Sequence, residues 1–436
     1  LVAWLDDLST SNRACTKQQQ LSCSLNPFLS RLFLLAQTNK KKSVTLIIRY
    51  QSKSTDMETN RKVRILSLDG GGIRGVIPAT VLTWVEKELQ RLSGKPDAKL
   101  ADFFDMIVGT STGGLIGCFL LVPDPENPLK SKNSAAEALK FYEDKGSFIF
   151  SKRTGWIFRA SDYLRKGIRF PVENLESLLK KEFDNLRMDQ LTKHALITAY
   201  DLNTSSAVFF NSREVGKKAE ERKFLVRDVL RSTSAAPTYF APAKIMNLSK
   251  NLLEDTSLIN LDGGVFANNP TMCAYAEARS TNFEQIGLDK PSAKDMLVLS
   301  IGTGATKRRR KSRNNTGKKS LIGWASSISD IMMDGGLDTV NYQVNRIFES
   351  LEEQYRGNYL RLNVPMRYRT DDPDDSNVEM LYQADMTDAS PENIKNLKRA
   401  GELAIEAELQ KGQGDSNPLR VFLEKLVAVE KARMEK

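Results

Sequence analysis

Phe104-Asp105-Met106-Ile107-Val108-Gly109-Thr110-Ser111-Thr112-Gly113-Gly114-Leu115 runs from a short apolar strand, through a glycine stop, into an apolar helix that continues to Val122. Its centre, Gly109 to Gly113, has the form Gly-x-Ser-x-Gly. Glycine at both ends lets a strand turn sharply into a helix with the two segments in close approach, which leaves the serine hydroxyl at the exposed corner. For the same reason the uncharged stretch Met106–Pro123 reads as a buried strand and helix, not as a membrane span. A nucleophilic serine needs a base, and histidine is the usual one. The chain has a single histidine, His194, at the head of Ala195-Leu196-Ile197-Thr198-Ala199, with no glycine or acidic residue beside it. That is a strand-edge setting, so the expected base for Ser111 is a carboxylate, in a serine–aspartate dyad.

The alternation of strand and helix extends outward on both sides. Val63–Leu68 reads as a strand ending in Asp69-Gly70-Gly71-Gly72-Ile73-Arg74-Gly75, and Val76 to Leu92 then carries apolar residues at helical spacing (Val81, Val85, Leu89, Leu92). Leu196–Tyr200, Ala207–Phe210, Leu258–Leu261 and Met296–Ile301 read as further strands. The last two lead into Asp262-Gly263-Gly264 and Gly302-Thr303-Gly304. The expected fold is α/β, a mainly parallel central sheet with helices on both faces. The turns after residues 68, 108, 261 and 301 are candidates to share one sheet edge, where such folds bind ligands. Beyond residue 320 the chain reads as mostly helical. Packing stripes fall at Leu337, Val340, Val344, Ile347 and Leu351, and at Ile394, Leu397, Ala400, Leu403 and Ala404.

Two glycine turns complete the chemistry. In Gly70-Gly71-Gly72, followed by Arg74, backbone N–H groups can converge at a helix N-terminus and hold a phosphate or a developing oxyanion. Alone, Gly70-x-Gly72-x-x-Gly75 also fits a dinucleotide-binding oxidoreductase, with Glu86 or Glu88 as a poor ribose-binding acid. A dinucleotide site has no use for the serine elbow or for Asp262-Gly263-Gly264. Asp262 ends a strand, two glycines leave room beside it, and Asn268-Asn269-Pro270 starts the next helix. It is the natural partner for Ser111. Burial raises such a carboxyl's pKa and a hydrogen bond from the serine lowers it; the sequence leaves the sign open.

With these three motifs in this order, residues 63–304 resemble the patatin-like phospholipases, lipid acyl hydrolases of the calcium-independent phospholipase A class. Arg231-Ser232-Thr233-Ser234-Ala235-Ala236-Pro237-Thr238-Tyr239-Phe240 is similar to the family's Ser-Ala-Ala-Pro block, and Ser300-Ile301-Gly302-Thr303-Gly304 to its later Gly-Thr-Gly strand end. The resemblance implies Ser111 as nucleophile, Asp262 as its partner, Gly70, Gly71 and Gly72 with the Arg74 region as oxyanion loop, and Gly109, Gly113, Gly263 and Gly264 as the turns that shape the site. It implies phospholipid or galactolipid esters as substrates and no cofactor. The same fold without catalysis, in a lipid-binding or regulatory protein, is the alternative.

The chain has 436 residues with 40% hydrophobic and 27% charged side chains, enough to bury a real core. Residues 1–56, before the first methionine, carry eight Lys/Arg against Asp6, Asp7 and Asp56, which is +5 of the net +10. They show no periodic apolar pattern and read as an extension outside the core of 57–304. Residues 305–436 complete the same domain. The charge is too diffuse to argue for nucleic acid. Lys307-Arg308-Arg309-Arg310-Lys311-Ser312-Arg313, with Lys318 and Lys319, divides between a solvated loop, a contact, through Arg308, Arg309, Arg310 and Lys311, with an anionic membrane surface, and a nuclear-localisation or nucleic-acid role. The four cysteines, Cys15, Cys23, Cys118 and Cys273, have no metal-binding spacing, and no metal site is expected. With no credible signal peptide, the expected location is cytoplasmic, with peripheral membrane contact.

Overall fold

Val63–Leu68 forms β1, buried along its whole length, as a central parallel strand must be. Its side chains alternate: Val63 and Ile65 enter an apolar cluster on one face of the sheet, Leu66 and Leu68 a larger one on the other. The computed structural model describes residues 61–151, 168–214, 217–249, 257–304, 321–364, 381–383, 385–412 and 416–435, with backbone only at 217, 219 and 321–330. Residues 1–56 and the basic run from Lys307 to Lys319 lie outside the described residues.

The remaining strands are β2 (Met106–Gly109), β3 (His194–Asp201), β4 (Ser206–Asn211), β5 (Ala243–Met246), β6 (Ser257–Asp262), a separate two-residue pair β7 (Asn282–Phe283) and β8 (Leu288–Asp289), β9 (Met296–Ile301) and β10 (Tyr359–Leu362). The main sheet runs in the order β10-β9-β1-β2-β3-β6-β5, with β4 also on β3. From β10 to β3 every pairing is parallel; β4, β5 and β6 are antiparallel to their neighbours.

Helices cover both faces. The chain supplies α1 (Val76–Ser93), α2 (Thr112–Leu120), α3 (Ala135–Ile149), α4 (Val172–Phe183), α5 (Val226–Thr233), α6 (Thr271–Ser280), α7 (Leu321–Glu349), α8 (Pro391–Leu409) and α9 (Pro418–Met434), besides shorter turns. On one face α1 packs against α3, α8 and α9; α6 and α7 meet on the other. The sheet is thus mainly parallel between two helical layers.

Two features depart from the sequence reading. A strand, β10, stands within the helical C-terminal part, where Tyr359-Leu360-Arg361-Leu362 is too short and too polar to stand out. And β6 does not run alongside the parallel strands. β4 occupies one edge of β3 from Leu196 to Asp201. The other edge pairs first with β2, from His194 to Ile197, and then with β6, at Ala199 to Asp201. β2 and β6 therefore lie end to end along one edge of β3, running towards each other. The elbow after Gly109 and the turn after Asp262 meet in the gap between them.

Candidate active site

Ser111 begins α2 with a positive φ of 53°, a conformation in which L residues are rare and strained. Gly113 is required there: a Cβ on it would strike the backbone carbonyls of Leu68 and Asp69. A Cβ on Gly109 would strike Gly113 and Gly114 in the same way. Thr110, fully buried, donates its hydroxyl to the Ala267 carbonyl at 2.6 Å and accepts one from Thr198 at 2.7 Å, which ties the elbow to the short helix Gly264–Ala267 that follows Asp262.

The Ser111 hydroxyl stands beside the carboxyl of Asp262, which is 5% exposed, and favours its anion. The Gly264 N–H donates to Asp262 Oδ1 at 2.7 Å. Burial pushes the Asp262 carboxyl up to about 7, against the Gly264 amide and the Ser111 hydroxyl, which both favour the anion. The sign that the sequence left open is therefore upward. Gly263 packs so tightly on Thr198 that no side chain fits. His194 lies elsewhere. It pairs with Met106 at the start of β2, whereas Ser111 follows the other end of that strand. Burial lowers its pKa to about 4.

The glycine loop stands beside the serine. The Gly70 N–H is engaged by the Asn268 carbonyl at 3.0 Å, so Gly70 does not offer its amide to an oxyanion. The amides of Gly71 and Gly72 have no partner among the described residues. Thr303 holds the loop by donating to the Gly70 carbonyl at 2.7 Å, and Gly72 turns with φ 58° against the Met386 carbonyl. Arg74 is 5% exposed and its Nε reaches back to the Gly71 carbonyl at 3.4 Å, so it braces the loop from inside. Asp69, fully buried, pairs with Arg361 of β10, Nη1 to Oδ1 at 2.9 Å and Nη2 to Oδ2.

Sequence reading missed the braces Thr303 and Arg361. Thr303 sits in the Gly-Thr-Gly turn already singled out, whereas nothing near Arg361 signals its partner 292 positions away. Arg308, Arg309, Arg310 and Lys311 lie outside the described residues. Among the described residues no group of His, Cys, Asp and Glu could hold a metal ion, and no helix is long and apolar enough to cross a membrane.

Residues 66–275 match the family described as Patatin-like phospholipase. The chain is 31% identical over 387 residues to Patatin-like protein 2 of Oryza sativa subsp. japonica, covering 86% of this chain and 89% of that protein. It is 34% identical over 354 residues to Patatin-like protein 1 of Arabidopsis thaliana, covering 78% and 80%. Patatin-16 of Solanum tuberosum is 30% identical over 371 residues, covering 80% and 89%.

Proposed function

The chain belongs to the patatin-like phospholipase family, and on that premise we propose that it is a lipid acyl hydrolase cleaving fatty-acyl esters of phospholipids or galactolipids through a Ser111–Asp262 dyad. The observation that supports the mechanism is the meeting of the elbow serine with a buried carboxyl, pushed up to about 7, in the gap between β2 and β6. A carboxylate at its ordinary pKa is a poor base, and one near neutrality is better matched to taking a hydroxyl proton.

Asp262 accepts the Ser111 proton as Oγ attacks the ester carbonyl carbon. The carbonyl oxygen takes the negative charge and is met by the Gly71 and Gly72 N–H groups. The intermediate collapses to an acyl-serine, and Asp262 returns the proton to the departing alcohol or lysolipid. Water then attacks the acyl group with Asp262 again as base, which frees the fatty acid and restores the hydroxyl. The basic run containing Arg308, Arg309, Arg310 and Lys311 would draw the enzyme to an anionic bilayer, by roughly 1 kcal/mol for each charge that reaches the surface.

Ser111→Ala and Asp262→Asn are each expected to lower turnover of a short-chain p-nitrophenyl ester and of phospholipid vesicles by about 1000-fold or more, in protein that still melts cooperatively. His194→Ala is expected to keep most of the activity. A His194→Ala enzyme as inactive as Ser111→Ala would overturn the dyad.

A further inference from the structure

We infer that Thr233 is a positioning residue for the hydrolysis, its hydroxyl holding Ser111 in the strained backbone conformation from which the side chain reaches Asp262. The inference rests on the Ser111–Asp262 reading.

Ser111 adopts φ 53° with no glycine of its own to make that comfortable, so something must hold it. Its N–H donates to Thr233 Oγ1 at 2.8 Å. Thr233 is the last residue of α5 and fully buried. A threonine in a helix commonly returns its hydroxyl to the carbonyl four residues earlier, as Thr80 does to Val76 at 2.8 Å. Thr233 makes no such bond: among the described residues the Ser111 amide is its one hydrogen-bond partner.

The chain leaving Thr233 then reaches the other half of the dyad. The Ala235 carbonyl accepts the Asp262 N–H at 3.0 Å, and Asn260, two residues before Asp262, donates its side-chain amide to the Ser232 hydroxyl at 3.0 Å. Ser232 to Ala235 therefore grips the nucleophile's backbone with one side chain and the base's strand with its neighbours. This turn is a second tie between Ser111 and Asp262, beside the one that Thr110 makes through Thr198 and the Ala267 carbonyl. Removing the Thr233 hydroxyl leaves the Asp262 side intact and frees the Ser111 side. Displacement of a reacting group by about 1 Å costs on the order of 100-fold in rate.

Thr233→Val, Thr233→Ala and Thr233→Ser are to be compared with the native chain and with Ser111→Ala. The readouts are thermal melting, kcat and KM on a p-nitrophenyl ester, the rate of covalent labelling of Ser111 by a fluorophosphonate, and the midpoint of the acid limb of the rate. The valine and alanine variants are expected to lose about 100-fold in kcat and in labelling rate, with KM unchanged and the acid midpoint no lower than native, because a displaced Ser111 hydroxyl favours the Asp262 anion less. Serine, which restores the acceptor, is expected to come within about threefold of native. The inference is overturned if a folded valine or alanine variant stays within threefold, if serine is as slow as alanine, or if the acid midpoint falls below the native one. It is equally overturned if valine and alanine fail to fold while serine folds, since the hydroxyl then serves the fold and not the elbow. An active Ser111→Ala would instead remove the dyad reading, and a dead Ser111→Ala beside an active Thr233→Ala would remove only the role of Thr233.

Discussion

At Asp262 burial opposes the Gly264 amide and the Ser111 hydroxyl beside it, and burial prevails, which pushes the carboxyl up to about 7. The proposed dyad needs the anion, so kcat/KM is expected to rise about tenfold per pH unit up to about 7 and then level off. Stability should move the other way. A carboxyl whose folded pKa stands above its unfolded one contributes fully below about pH 4, and that contribution is lost as pH rises through about 7. Asp262→Asn does not titrate. It should therefore be more stable than the native chain at pH 8, by about 4 kcal/mol at most, with the margin shrinking towards pH 5. Equal stability of the two proteins at both pH values would show that this carboxyl titrates as an ordinary surface group does. Thr233 shows why part of such a site escapes sequence reading. Ser111 and Asp262 sit in turns whose glycines have few other uses, whereas one hydroxyl on a helix carries no mark of the amide it holds 122 positions away.

Among the elements, glycine positions separate into those the elbow requires and one that costs the protein stability. An added methyl at Gly113 meets the carbonyls that end β1, and backbone cannot yield as a flexible side chain can. Gly113→Ala is expected to lose at least about 2 kcal/mol of stability together with its activity. Gly335 stands inside α7 with nothing within 4 Å of where a Cβ would be. Gly335→Ala should gain about 1 kcal/mol, from the better helix former alone. Urea unfolding of both variants checks the contrast, and a destabilised Gly335→Ala would mean that α7 must bend there. The same physics decides which elements could be read in advance. Val63–Leu68 and Met296–Ile301 are six-residue strands buried on both faces and are mostly apolar, with Arg64, Ser67 and Ser300 the exceptions. β5 and β10 are the outer strands of the sheet; Ala243-Lys244-Ile245-Met246 and Tyr359-Leu360-Arg361-Leu362 each carry a charge and run for only four residues. The end-to-end meeting of β2 and β6 is a property of pairing register, which no local run of residues encodes.

Across the whole molecule the glycine loop after β1 depends on distant parts of the chain. Asp69 at the end of β1 is neutralised by Arg361 on β10, and Asp105 before β2 is gripped by Arg64 and by Arg433 of α9. Although burial works the other way, the two guanidinium groups hold the Asp105 carboxyl well below the usual carboxylate range. Arg361→Met strands the buried Asp69 charge and is expected to cost about 3–5 kcal/mol. Adding Asp69→Asn should recover a large part of that. A double-mutant cycle by chemical unfolding measures the difference, and simple additivity of the two losses would show that the pair is not coupled. The facing ends of β2 and β6 carry a last consequence. Side chains alternate along a strand, so a slip of one residue between β3 and β6 would turn Asp262 to the opposite face of the sheet. Activity then has no intermediate values: a molecule with its strands nearly in place hydrolyses nothing. Ester turnover during refolding is therefore a counter of finished molecules, and it should lag any spectroscopic signal of helix formation by the time β6 takes to find its register.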